Sequence, residues 1–156
     1  LVEFDRNGDH MQNVTQDYLS FLVHLTQTSS ISVDAKLDDA LARLDYMLEG
    51  ICRDLKVEYY GPFVGVESLE AHRLVVRDHE WRIGERLWSL KICSAAKSAN
   101  WRAEWALQGA SRMRKPIIVA ALPDFFSGFE AKIIAANKQT TAAGQRIARL
   151  AAQFRR

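Results

Sequence analysis

The sequence predicts an α+β domain, with an antiparallel sheet of about four strands preceded by two helices and followed by two or three. Three observations carry that expectation. Apolar residues recur at helical spacing up to residue 55 and again beyond residue 115. Between these segments the apolar period shortens to that of strands. The strand-like segments also follow one another through short connections, which antiparallel pairing allows and a parallel crossover does not. Helices segregated to the two ends of the chain complete the class.

Asn13 can cap a first helix, with Gln16 three residues on, and Val14, Tyr18, Phe21, Leu22 and Leu25 then recur at helical spacing. Residues 26–30 are a polar break. Ser32 or Asp34 starts a second helix, whose first turn carries Asp38 and Asp39 at the positive end of the dipole. Leu37, Leu41, Leu44, Leu48, Ile51 and Leu55 follow at alternating spacings of four and three, the clearest periodic signal in the chain. Two uses fit that stripe: a helix laid on its own core, or a two-helix seam between subunits.

Residues 56–65 read as a strand kinked at Gly61, and 72–77 as a short strand. Asp78, His79 and Glu80 read as a turn. Residues 81–94 form a long strand whose apolar positions keep no single parity. Residues 95–100 are a loop, and 100–109 a strand with Trp101, Ala103, Trp105 and Leu107 on one face and Arg102, Glu104 and Gln108 on the other. Pro116 fits the first turn of a helix running to about Leu122, where Pro123 breaks or kinks it. Asp124 then caps a further helix, 137–141 bends, and 142–155 is the last helix, with Ile147, Leu150 and Phe154 on one side.

Residues 1–10 read as a non-native or disordered tail and 11–156 as one α+β domain. Hydrophobic residues make up 48% and charged residues 26%, which excludes a disordered chain and a disulfide scaffold. Apolar runs fall short of the roughly 20 residues of a membrane span. The charge is polarised: net −6 over 1–50, +1 over 51–111 and +7 over 112–156. Cys52 and Cys93 stand apart in apolar stretches, as free thiols do in a reducing compartment, so the chain is expected to be cytoplasmic.

The glycines form neither a dinucleotide nor a P-loop frame, and there is no nucleophile elbow. Asp5, Asn7 and Asp9 stand like the first ligands of an EF-hand loop, but His10 replaces the glycine of the turn and Gln16 the bidentate glutamate. Arg73, His79 and Glu80 are the candidate acid–base residues. The Arg73–His79 spacing is similar to the Arg/His pair of the helical HEPN ribonucleases. It departs from them because apolar Leu74 follows Arg73 and the segment reads as strand and turn. Glu70, His72, Asp78, His79 and Glu80 cluster in sequence, without the metalloprotease helix spacing.

Trp81, Trp88, Trp101 and Trp105, with Tyr59, Tyr60 and Phe63 close by in the sheet, suit an aromatic cleft that stacks a flat ligand or an unpaired base, with Arg82, Arg86, Lys91 and Arg102 to neutralise phosphates. Trp88, Trp101, Trp105 and Arg102 are its candidate ligand-binding residues. Arg146, Arg149 and Arg156 form a basic stripe on the last helix and are the candidate partner-binding residues. The reading that follows is a non-catalytic module acting through protein association, as a homodimer or with an acidic partner, without a cofactor and without a membrane. Nucleic-acid binding through the basic C-terminal helices, or a small-ligand or enzymatic site near His79, are its alternatives.

Overall fold

The computed structural model describes residues 18–65, 70–96 and 102–155, and their order is two helices, a four-stranded antiparallel sheet and two more helices. The expected start of the first helix at Asn13 lies outside these residues. Helix α1 covers 18–25 within the described part, and α2 is Ala35–Leu55. The strands are β1 Tyr59–Tyr60, β2 Glu70–Arg82, β3 Glu85–Ala96 and β4 Arg102–Ala106, adjacent in chain order. Helices α3 Lys115–Ala135 and α4 Ala142–Phe154 close the chain. None of these helices is long and apolar enough to cross a membrane.

Asp34 caps α2 by accepting the Leu37 N–H at 3.0 Å, and Lys56 ends it in the left-handed conformation. The whole Leu37-to-Leu55 stripe is buried within its own domain. It cannot therefore be the seam between two subunits, and the laid-on-core alternative holds. One core takes in α1, α2, α3, α4 and one face of the sheet through Leu74, Val76, Leu90 and Ile92.

Three local expectations are corrected. Residues 78–80 do not turn. The chain reverses at Ile83 and Gly84, where Gly84 supplies a positive φ of 79°, and β2 and β3 become one long hairpin. Asp78, His79 and Glu80 instead pair across the hairpin with Trp88, Leu87 and Arg86. Strand 56–65 shrinks to two paired residues and one further bridge, Val64 to His72. Pro123 does not end a helix, and α3 runs through it for 21 residues. A proline inside a helix costs about 3 kcal/mol or more. Ile118, Val119, Leu122 and Phe125 are fully buried around it, and each such side chain contributes about 1.5–3 kcal/mol, so burial wins.

Candidate functional site

Alternation along β2 and β3 divides the sheet into a core face and an outer face. Tyr60, Arg73, Val75, Arg77, His79, Ser89, Lys91, Cys93, Arg102 and Glu104 share the outer one, as the strand register requires. Val75 and Cys93 are buried there, outside the main core. The stems of the long cationic side chains can cover such an apolar floor while their heads stay wet.

A bulge builds the centre of this face. Tyr60 pairs with Val75 and Val64 with His72, so β1 and its continuation advance four residues while β2 advances three. Gly61 sits in the bulge and donates its N–H to the Leu74 carbonyl at 2.7 Å. A Cβ there would press on that carbonyl and on Phe125. In a regular strand, positions 60 and 63 would point to opposite faces. The extra residue brings Phe63 round to join Tyr60, and the Arg73 guanidinium lies between the two rings, 4.8 Å from Tyr60 and 4.4 Å from Phe63. Both rings are exposed, Tyr60 by 38% and Phe63 by 51%.

The electrostatics of the face are cationic. Arg77 donates to Glu104 at 2.7 Å, and Arg102 lies 3.9 Å from the same carboxylate. Arg73 and Lys91 have no ion-pair partner among the described residues. Burial, then Lys91 and Arg77, hold His79 below the usual imidazole range, so it is neutral at pH 7. Tyr60 is held protonated, chiefly by its hydrogen bond with Glu58. Five buried polar atoms lack a hydrogen-bond partner among the described residues: Nε of Arg73 and Arg77, Nδ1 of His79, Oγ of Ser89 and Oε1 of Glu104. All five belong to the outer face. Buried polar atoms are normally satisfied, so the network on this face is incomplete.

The core face carries the opposite case. Arg114 donates its Nε to Ser94 Oγ at 3.0 Å and an Nη to Glu70 at 3.0 Å, and its guanidinium lies 4.3 Å from the Trp105 ring. Ser94 Oγ also shares a hydrogen bond with His72 Nδ1 at 2.7 Å. The other ring nitrogen, Nε2, faces Glu70 at 3.9 Å. Burial lowers the His72 pKa, in keeping with a neutral ring. The order Ser–His–Glu resembles a hydrolytic triad on paper. Ser94 is fully buried, however, and nothing can approach its hydroxyl as the structure stands. The cluster is a clasp joining β2, β3, β4 and the start of α3.

The sequence candidates fall as follows. Arg73 and His79 share the outer face but stand six residues apart along one strand, roughly 20 Å. Glu80 points to the other face, so the three do not form one acid–base site. Glu70 and His72 meet in the clasp, away from His79, and no three His, Cys, Asp or Glu residues gather as a metal site among the described residues. Trp88 and Trp105 pack against the core, whereas Arg102 lies on the outer face, so they do not share a cleft with it. Arg146 and Arg149 are exposed on α4, beside an open groove of about 520 Å³ with Leu19, Met47, Ile51 and Leu150. Trp101, Arg156, Asp5, Asn7 and Asp9 lie outside the described residues. Tyr60, Phe63 and Lys91 belong to the aromatic and cationic set expected from the sequence, but they lie on the outer face, away from Trp88 and Trp105, and Arg77 joins them there. The alternation Arg73, Val75, Arg77, His79 is the signal that marks their face. No protein-family model, curated protein or solved structure matches the chain.

Proposed function

We propose that the chain is a non-catalytic binding module whose contact surface is the outer face of the sheet and whose partner carries repeated negative charge. The observation that supports it is the grouping of Arg73, Arg77, Lys91 and Arg102 on that face, against the carboxylates of Glu104 and of Glu58 beside Tyr60. Opposed charge of this kind steers association and fixes register. The separation of Arg73, His79 and Glu80 and the sealed Ser94 support binding rather than chemistry. The free, buried Cys52 and Cys93 fit a reducing compartment such as the cytoplasm.

This reading moves the contact from the α4 stripe to the sheet, and one titration separates them. Inorganic polyphosphate is titrated into the wild type, Arg73→Glu/Arg102→Glu and Arg146→Glu/Arg149→Glu at two salt concentrations. The expected result is salt-sensitive binding that the sheet pair abolishes and the helix pair retains. Absence of wild-type binding at low salt, or an equal loss in both variants, overturns the reading. A second reading is self-association: β4 ends the sheet with β3 as its one neighbour among the described strands, so its outer edge is open to a second copy. Sedimentation that finds only monomer at high concentration removes it.

A further inference from the structure

Resting on that reading, we infer that the outer face takes single-stranded nucleic acid, with Tyr60 and Phe63 as stacking platforms for bases and the neighbouring cations as contacts for phosphates. Cations alone would suit any polyanion. The distinguishing feature is two exposed aromatic rings set beside them, the combination that binds an unpaired strand irrespective of its sequence. Each ring lies against the Arg73 guanidinium and keeps part of its surface exposed to solvent. A base can therefore stack on a ring already polarised and held by a cation.

The rings are also pre-positioned. Tyr60 is in a paired strand and Phe63 is next to the Val64 bridge, so neither needs ordering on binding. The rings stand at the β1 edge of the sheet, and the cations extend from them across β2, β3 and β4. Lys91 is opposite Val75, in the row of Tyr60, and Arg102 is opposite Ala95, toward the far edge. A backbone laid across the strands, from β1 toward β4, passes Arg73 and Lys91 before Arg102. A duplex hides its base faces within the stack and cannot use the rings, whereas a single strand exposes them. An acidic peptide would use the cations and gain nothing from the exposed ring surface.

The test uses four probes on the whole chain: a 12-nucleotide oligo-U, an oligo-dT of the same length, a duplex of that length and inorganic polyphosphate of matched charge. They are titrated by anisotropy or calorimetry into the wild type, Tyr60→Leu/Phe63→Leu and Phe63→Trp, with the melting temperature of each variant recorded. The expected result is that a single strand binds tighter than the duplex or polyphosphate. The leucine pair should lose about tenfold or more for the strand and keep its polyphosphate affinity, and Phe63→Trp should keep or raise strand affinity. The oligo-U and oligo-dT arms tell RNA from DNA. Equal affinity for all four probes, with the leucine pair indistinguishable from wild type, overturns this inference and leaves the polyanion reading standing. Binding to none of the probes at low salt overturns both.

Discussion

Asp45 ties α2 to the end of β4, accepting the Leu107 N–H at 3.2 Å and the Gln108 N–H at 3.0 Å. Burial pushes its pKa up from 3.8 to about 6, although both hydrogen bonds pull the other way. The folded state thus holds this proton to higher pH than the unfolded state does. Stability from the group is complete below pH 3.8 and falls as pH rises through 6, by about 3 kcal/mol at about 1.4 kcal/mol per unit. Urea denaturation at pH 4 and pH 7 checks it: the decline in the wild type should exceed that in Asp45→Asn by roughly this amount. Packing makes a second prediction at this scale. A Cβ on Gly128 would collide with the Tyr59 hydroxyl, and Tyr59 is held by Phe125 and Phe129. Gly128→Ala should cost about 1–3 kcal/mol. Gly109→Ala meets only an ordinary contact with the Ala106 carbonyl and should stay within about 0.5 kcal/mol. The bulge explains why the shared face of Tyr60 and Phe63 is not legible in the sequence, although both residues are. Their separation of three puts them on opposite faces of any regular strand, and only the pairing of Val64 with His72 reveals the extra residue.

At the scale of elements, the β2–β3 hairpin outruns its neighbours. β1 pairs with it as far as Val76 and β4 as far as Lys91. Beyond these points each strand of the hairpin has only the other beside it among the described strands. Ion pairs join Asp78 to Arg86 and Arg82 to Glu85, and Ile83 at the tip is almost wholly exposed. Two-stranded ribbons are marginal alone, so amides over 78–87 should exchange with solvent faster than those over 72–76, as native-state hydrogen exchange will measure. Equal protection of both segments would show that the arm is covered. Helix α2 is legible in the sequence because its six apolar positions share one face and all are buried by it. The turn is not, because Asp78, His79 and Glu80 have turn chemistry yet find cross-strand partners, while Ile83 and Gly84 give only two residues of signal. The continuity of α3 is hidden for a different reason. Pro123 states a local preference, and the burial that overrules it comes from other elements.

For the whole molecule, the ion pair from Lys115 to Asp38, at 2.6 Å, links the basic C-terminal stretch to the acidic N-terminal one among the described residues. From the same stretch Arg114 reaches Glu70, but Arg155 pairs with Glu130 inside it, and Lys138 donates to the Leu55 carbonyl at the end of α2. The fold class and helix order follow from period and composition. The candidate site follows from parity across strands, which no single segment contains. The Arg114 clasp has a consequence for the order of events when the chain folds. Its bonds close chain loops of 20 and 44 residues, to Ser94 and Glu70, whereas α2 needs only contacts four residues apart. Closing long loops is entropically costly before other contacts reward it. The clasp is therefore expected to form late, on the native side of the barrier. Arg114→Ala should leave the refolding rate nearly unchanged and speed unfolding, with the lost stability appearing almost entirely in the unfolding arm of a chevron plot. A refolding rate that falls with the stability would place the clasp in the nucleus, and the end of the sheet would then be where folding starts.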